Sequence, residues 1–248
     1  MHRFILFLRS ALFMLSMVVA TVIWAFACLL FAPLPYNQRY YCTARWNQYI
    51  IWTARIICGI RYTVKGAENL PDAPAILLSK HQSAWETIFY LYYMPRPLVY
   101  VFKKEITYIP FFGWAIALMR MIPIDRQKGK DAFAQVVTHG RRRLADGQWV
   151  IMFPEGTRIQ VGETGRYKGG GARLAVETDT PVIPIAVNAG ECWPKNSFIK
   201  KPGIITVSIG KPISPNGFSA TELMQKVETW IEDEMRVISP HVYQRKSS

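Results

Sequence analysis

The sequence predicts an α/β domain in which helices flank a largely parallel or mixed central sheet, preceded by an N-terminal membrane anchor of two helical segments. Short apolar runs alternate with longer helical segments after residue 60, which is typical of α/β folds. Before them lie a long uncharged apolar run and a stretch rich in arginine and aromatic residues. We therefore expect an anchoring segment over residues 1–60 and a second domain over residues 61–248.

The anchor begins with the apolar run Ser10–Ala32, which contains no charged residue. Its twenty-three residues would form a helix of about 35 Å, long enough to cross the hydrocarbon core of a bilayer. Pro33 and Pro35 end this helix. The following segment, Tyr36–Ile60, mixes arginines with tyrosines, tryptophans and isoleucines, as helices at a lipid headgroup interface do.

Two topologies of the anchor fit these residues. The first helix either spans the bilayer or enters it and returns as a hairpin through the proline turn. The arginines of the second segment place the downstream side in the cytoplasm in both cases.

The second domain contains six predicted strands and five predicted helices. The strands are Arg61–Lys65, Ala75–Ser79, Leu98–Phe102, Trp149–Phe153, Val182–Val187 and Ile204–Ile209. The helices are Ala84–Tyr93, Phe112–Met119, Lys128–Ala145, Gly171–Thr178 and Ala220–Ile238.

Composition narrows the classes of partner. A formal net charge of +13 predicts anionic partners: nucleic acid, an acidic membrane surface or phosphorylated small molecules. The aromatic residues concentrate in the anchor instead of alternating with a basic stripe, which argues against nucleic acid. The four cysteines lack metal-ligand spacing, so we expect four free thiols in a reducing compartment.

His81 is the first candidate for chemistry, because it lies between an apolar strand and a helix, where α/β folds display reactive groups. Glu86 follows five residues later and would not share a helical face with it. The two can meet if His81 lies in the turn before the helix and Glu86 in its first turns. Glu86 would then fix the tautomer that leaves Nε2 available as a base. The alternative is a histidine that only hydrogen-bonds the strand end.

No protein nucleophile accompanies this pair. The sequence contains no Gly-x-Ser-x-Gly elbow, no cysteine beside a histidine and no His-Glu-x-x-His zinc motif. Its four histidines are scattered, which argues against a histidine-based metal site. A base without a nucleophile is suited to activating a hydroxyl group of the substrate.

A second candidate is the turn Pro154–Arg158, which follows the apolar run from Trp149 to Phe153. It presents a carboxylate, a hydroxyl and a guanidinium together. Gly156 permits a close approach of the backbone, and Arg158 is suited to bidentate binding of a phosphate.

Four blocks in this order resemble those of the glycerolipid acyltransferases. They are His81-x-x-x-x-Glu86, Gly113 to Ile124-Asp125-Arg126, Phe153-Pro154-Glu155-Gly156-Thr157-Arg158 and Val182-Ile183-Pro184-Ile185. The resemblance covers roughly residues 60 to 215 and is greatest to the bacterial enzymes that acylate lysophosphatidic acid. In one departure, Glu86 stands where the family usually has aspartate.

The resemblance implies that the chain transfers an acyl group from acyl-CoA or acyl carrier protein to the sn-2 hydroxyl of lysophosphatidic acid, giving phosphatidic acid. His81 would be the base and Glu86 its partner. Substrate-binding residues would be Lys103, Lys104, Arg126, Glu155, Gly156, Thr157, Arg158 and Lys168. Glycerol 3-phosphate, another lysophospholipid or a lyso-aminolipid stays open as acceptor.

The resemblance also implies a two-helix anchor, which favours the hairpin. It further implies an inner-membrane location, with the catalytic domain facing the cytoplasm and an anionic membrane surface. We expect no cofactor, no metal and no nucleic acid partner. A non-catalytic lipid-binding module with the same anchor is the alternative class, and it predicts no turnover and indifference to the loss of His81.

Overall fold

A seven-stranded sheet forms the centre of the computed structural model, which describes residues 2–109, 112–125 and 129–243. The strand order is β1-β7-β6-β2-β5-β3-β4. The strands are β1 (Ile60–Lys65), β2 (Ile76–Ser79), β3 (Leu98–Lys103), β4 (Ile122–Ile124), β5 (Trp149–Met152), β6 (Val182–Val187) and β7 (Gly203–Ile209).

The sheet is mixed, as predicted. Neighbouring strands run parallel except β6 and β7, which are antiparallel. The central strands β2 and β6 are buried at every residue, because helices cover both faces of the sheet. Leu78 of β2 lies opposite Met152 of β5, so the carboxyl ends of these parallel strands meet at one edge. That edge carries His81 and the Pro154–Arg158 turn.

Eight α-helices accompany the sheet in the part of the chain that the structure describes. They are α1 (His2–Phe31), α2 (Tyr36–Thr53), α3 (Trp85–Tyr93), α4 (Phe112–Leu118), α5 (Gly129–Ala145), α6 (Gly170–Thr178), α7 (Ala189–Cys192) and α8 (Ala220–Ile238). Neither β4 nor α7 is predicted from the sequence. Three residues around Pro123 and four residues of α7 are too short to show a period.

The first helix begins at His2, eight residues earlier than the uncharged run predicts. Arg3 and Arg9 do not interrupt it, because helical hydrogen bonds are made within the backbone and arginine is a good helix former. By length and composition, α1 is the one described helix that could cross a membrane, with a mean hydropathy of 2.4 over its best window. The second segment is shorter than predicted: α2 ends at Thr53, and a π-helical turn continues to Cys58.

The helices α1 and α2 form an antiparallel hairpin. The hydroxyl groups of Ser16 and Tyr49 lie 2.7 Å apart, and Trp24 Nε1 donates to the carbonyl oxygen of Thr43 at 3.2 Å. Nearer the start of α1, Arg9 donates to the carbonyl oxygen of Ile57. The partner residue moves backwards along α2 and the π-helical turn that continues it as α1 advances, as an antiparallel pair requires.

One face of α1 packs on the rest of the protein and the other is exposed. Ser10 accepts a hydrogen bond of 2.9 Å from the backbone N–H of Lys200, and Phe13 packs edge-on against Trp193. The exposed apolar residues of α1 run along nearly its whole length and include Phe4, Leu8, Leu12, Leu15, Val19, Val22, Phe26 and Leu30. This face has the character of a lipid-contacting surface.

Candidate active site

His81 and Glu86 are in contact, in the arrangement that the sequence analysis described. His81 lies in the turn after β2, and Glu86 is the second residue of α3. Their Nδ1 and Oε1 atoms are 2.9 Å apart. Among the described residues no group bonds to Nε2, so a proton held at Nδ1 by Glu86 leaves Nε2 able to accept one.

Glu86 also shapes the turn that carries His81. The same Oε1 atom accepts hydrogen bonds from the backbone N–H groups of Gln82 at 2.7 Å and Ser83 at 2.6 Å. The other oxygen, Oε2, is buried without a hydrogen-bond partner in the described part of the chain. All three hydrogen bonds of the Glu86 carboxylate are therefore made by its Oε1 atom.

The imidazole of His81 packs face to face against the ring of Phe153. The two rings stack with their centroids 3.9 Å apart and their planes 15° from parallel. The carbonyl oxygen of His81 accepts a hydrogen bond of 2.8 Å from the backbone N–H of Ile159. The turn after β5 thus fixes both the ring and the backbone of His81.

The Pro154–Arg158 turn brings Lys168 beside Gly156. Gly156 has a φ of 69°, which glycine adopts without strain. A Cβ atom at this position would lie 2.8 Å from Lys168 Nζ, so the ammonium group would have to move if a larger residue replaced Gly156. The backbone N–H of Lys168 donates to the carbonyl oxygen of Pro154 at 2.9 Å. This arrangement puts a cation against the turn that carries Arg158.

Glu155 points into the protein interior. Its Oε1 atom accepts from Lys80 Nζ at 2.7 Å, and its Oε2 atom accepts from the backbone N–H of His81 at 2.9 Å. Burial raises the pKa of this carboxyl group, and the Lys80 ammonium opposes the rise. Both carboxylate oxygens of Glu155 therefore have protein partners. The substrate-binding role predicted for Glu155 stays a prediction.

A cavity of about 620 Å³ opens beside His81. Its walls come from the anchor, α3, β3, α4 and the Pro154–Arg158 turn. The anchor residues in the wall are Thr21, Trp24, Ala25, Cys28, Thr43, Trp46 and Asn47. The lining is mostly apolar, with His81 and Arg158 among its polar groups, so the cavity is suited to a long apolar group with a polar end.

The other predicted site residues are placed as follows. Lys103 lines the cavity and forms an exposed ion pair of 3.1 Å with Glu105. Thr157 also lines it, whereas Lys104 begins an exposed 3₁₀ turn and does not contribute to the lining. Arg126 lies outside the described residues.

The sequence does not predict the contacts of Lys80 and Glu232, nor the anchor residues that line the cavity. The signal for Lys80 was a charged residue between a mostly apolar strand and His81. Nothing in the sequence pairs it with Glu232, which is 152 residues away. From the sequence, the anchor residues are interpreted as facing the membrane, because the sequence of an apolar helix does not show which of its faces packs on protein.

A histidine–carboxylate pair lies beside an apolar cavity, and the sequence motifs contain no protein nucleophile. This combination is typical of an enzyme that activates a hydroxyl group of its substrate. The chain belongs to the Acyltransferase family, whose model matches residues 61–188. This confirms the family resemblance of the four blocks.

Two relatives show how far the similarity extends. A 1-acyl-sn-glycerol-3-phosphate acyltransferase of Pseudomonas aeruginosa is 44% identical over 245 residues, covering 97% of this chain and 95% of the relative. An enzyme of the same name from Cocos nucifera is 30% identical over 89% of this chain and 71% of its own length.

The fold is also that of a solved structure. The crystal structure of the 1-acyl-sn-glycerophosphate (LPA) acyltransferase PlsC from Thermotoga maritima matches with a TM-score of 0.82 over the whole of both chains, at 22% identity. The predicted α/β fold class, with two helices before a mixed sheet, is confirmed.

Proposed function

We propose that this protein transfers a fatty acyl chain from a thioester donor to the sn-2 hydroxyl of lysophosphatidic acid, giving phosphatidic acid for phospholipid synthesis. The observation that carries the proposal is the His81–Glu86 pair at the wall of an apolar cavity that Arg158 also lines. The names of relatives that match nearly the whole chain support the same reaction.

The chemical step follows from the position of His81. Its Nε2 atom takes the proton of the acceptor hydroxyl while that oxygen attacks the thioester carbonyl carbon. The C–S bond of the resulting tetrahedral intermediate breaks, the thiolate leaves, and the imidazolium returns its proton to the sulfur. Glu86 stabilises the imidazolium charge through the Nδ1 contact of 2.9 Å. No cofactor takes part.

The phosphate of the acceptor lies between Arg158 and Lys168 in this proposal. Guanidinium and ammonium groups bind phosphate through charge-assisted hydrogen bonds, and Gly156 leaves room for Lys168 at the turn. Lys103 adds positive charge at the cavity wall. Lys104 and Arg126 are the further candidates for binding the acceptor phosphate. Thr157 and the backbone of Gly156 contact the glycerol group.

The anchor positions the site in the lipid. The exposed apolar face of α1 enters the bilayer, and the opposite face closes the acyl cavity. The chain returns through the Pro33–Pro35 turn as a hairpin. In this proposal the protein lies on the inner membrane, with the catalytic domain on the cytoplasmic side, where acyl-CoA or acyl carrier protein supplies the acyl group. The excess of basic residues favours an anionic membrane surface.

The decisive experiment supplies purified protein in detergent micelles with a panel of acceptors and one of two labelled donors, acyl-CoA or an acylated acyl carrier protein. The panel contains lysophosphatidic acid, glycerol 3-phosphate, a neutral lysophospholipid and a lyso-aminolipid. Mass spectrometry should identify phosphatidic acid as the main product. No turnover with any acceptor and either donor, together with unchanged lipid binding by His81→Ala, would instead indicate a non-catalytic lipid-binding module.

A further inference from the structure

Lys80 is a lysine whose side chain is fully enclosed in the protein. Its Nζ atom donates to Glu155 Oε1 at 2.7 Å, to Glu232 Oε1 at 2.8 Å and to the carbonyl oxygen of Glu163 at 3.2 Å. An ammonium group has three hydrogen-bond donors, so all of them are used inside the protein. Lys80 is therefore unavailable to a substrate.

Glu232 lies on α8 and has two further partners. Tyr167 donates its phenolic O–H to Oε1 at 2.8 Å, and Thr164 donates its hydroxyl to Oε2 at 2.8 Å. We call Lys80, Glu155, Glu232, Tyr167 and Thr164 the Lys80 cluster. It joins the end of β2, the loop after β5 and the last helix around one ammonium group.

The Lys80 cluster is not accounted for by stability alone. Two carboxylates face one ammonium group, and burial raises the pKa of the Glu155 carboxyl group. Removing charges from water is costly, and well-packed apolar side chains often stabilise a protein as much as a buried ion pair does. A buried cluster of this kind is better suited to fixing one geometry than to adding stability.

The geometry that the cluster fixes is that of His81. Glu155 is shared between two donors, the ammonium group of Lys80 and the backbone N–H of His81 at 2.9 Å. Its carboxylate can keep both contacts only while Lys80 stays in place. Glu232 binds Lys80 from the side of α8, and Tyr167 in turn donates to Glu232. The position of α8 is therefore transmitted to the base through two hydrogen-bonded carboxylates and one ammonium group.

We propose that Lys80, Glu232 and Tyr167 are positioning residues for His81, and that α8 thereby takes part in the transfer reaction without touching the substrate. The inference rests on the proposed function, since it assigns these residues a part in the same reaction. Displacing a reacting group by about 1 Å costs on the order of a hundredfold in rate, so a small shift of the His81 backbone is enough to be measured.

The test compares two substitutions of Glu232 with a matched control on the same helix. Glu232→Gln keeps an oxygen that can accept from Lys80 and Tyr167, whereas Glu232→Met removes every acceptor at nearly the same volume. Glu234→Met is the control. Glu234 lies two residues away on α8 and accepts a hydrogen bond of 2.7 Å from Ser208, but it has no contact with the Lys80 cluster.

Rates are measured per mole of folded enzyme, well below the melting temperature of each variant. We expect Glu232→Met to lower kcat about ten- to a hundredfold with KM for both substrates changed less than about threefold. Glu232→Gln should restore most of that loss. Glu234→Met should match the wild type in kcat even if it melts earlier.

Two outcomes would overturn the inference. Either Glu232→Met keeps the kcat of Glu234→Met, or Glu232→Gln is as slow as Glu232→Met. Failure of the proposed function is distinguishable, because the wild type itself would then form no phosphatidic acid. If Glu232→Met does not fold, Tyr167→Phe takes its place, because it removes one donor to Glu232. Tyr167→Phe should also lower kcat at unchanged KM, by a smaller factor than is expected for Glu232→Met.

Discussion

Glu155 and His81, which are 74 residues apart, are joined by a hydrogen bond of 2.9 Å from the backbone N–H of His81 to the Oε2 atom of Glu155. This contact ties the turn after β5 to the turn after β2. Both turns leave the same edge of the sheet because their strands are parallel neighbours. The two sequence blocks that carry the chemistry thus meet through the backbone as well as through side chains.

His81→Ala should abolish nearly all transfer while leaving folding and membrane binding intact. A positioned general base contributes a factor on the order of 10²–10⁴, and the acceptor hydroxyl is too weak an acid to react unaided. His139→Ala, on the exposed face of α5, is the matched control and should keep full rate. Steady-state kinetics with lysophosphatidic acid measure both variants.

Two measurements, one on the wild type and one on His81→Ala, test the direct mechanism. No acyl-protein should accumulate when the wild type receives labelled acyl-CoA without an acceptor. A trapped acyl-enzyme, or more than about a tenth of the wild-type rate in His81→Ala, would contradict direct transfer.

Glu86→Gln should fold well and still be slow. Its amide oxygen can take the place of Oε1 and keep all three hydrogen bonds, but the negative charge beside the imidazolium is lost. Glu86→Asp keeps the charge and should retain measurable activity if the backbone of the turn adjusts. Melting temperatures and kcat, measured side by side, separate the two effects. A Gln variant as fast as the wild type would remove Glu86 from the charge-stabilising role.

Arg158→Ala should weaken use of the phosphorylated acceptor far more than use of the acyl donor. A charge-assisted hydrogen bond is worth about 1.5–3 kcal/mol, which corresponds to roughly ten- to a hundredfold in kcat/KM for the acceptor. Arg166→Ala, an exposed arginine on the loop that follows, provides the control. Steady-state kinetics in which each substrate is varied separately distinguish an effect on the acceptor from an effect on the donor. An effect confined to the KM of the donor would move Arg158 out of the acceptor site.

Lys80→Met should destabilise the protein, and more so at high pH. Removing one partner of a buried ion pair costs about 3–5 kcal/mol. Without the ammonium group, burial should raise the pKa of Glu155 further above its unfolded value of about 4.3. The folded state then binds that proton more tightly than the unfolded state, so stability is lost as the pH rises from the unfolded pKa towards the folded one.

The melting temperature of Lys80→Met should therefore lie closer to that of the wild type near pH 5 than near pH 8. Thermal unfolding in the same detergent at both pH values measures this difference. A deficit that is equal at both values would show that Glu155 does not take up a proton when Lys80 is removed.

A cysteine at position 2 should be protected from impermeant thiol reagents in intact cells if the anchor is a hairpin. Both ends of the hairpin then lie on the cytoplasmic side, and the native cysteines at positions 28, 58 and 192 are buried. Labelling after the cells are opened provides the positive control, with Cys42 replaced by serine in the background. Periplasmic labelling would replace the hairpin with a single span.

The sequence predicts the sheet and the base because both depend on local signals. The all-apolar run of β2 ends in polar residues at His81, and an apolar strand also precedes the Pro154–Arg158 turn. What it could not predict depends on tertiary contact. One of the two carboxylate partners of Lys80, Glu232, comes from α8. The face of α1 that lines the cavity is decided by the elements that pack against α1.

The contact between Lys80 and Glu232 has a consequence for the order of assembly during synthesis. The chain leaves the ribosome with α1 first, so the anchor can meet the bilayer while α8 is still untranslated. The 152 residues between Lys80 and Glu232 take on the order of ten to thirty seconds to translate. During that interval the Lys80 ammonium group lacks at least one of its two carboxylates, so the hydrogen bonds around it are complete only after α8 has been synthesised.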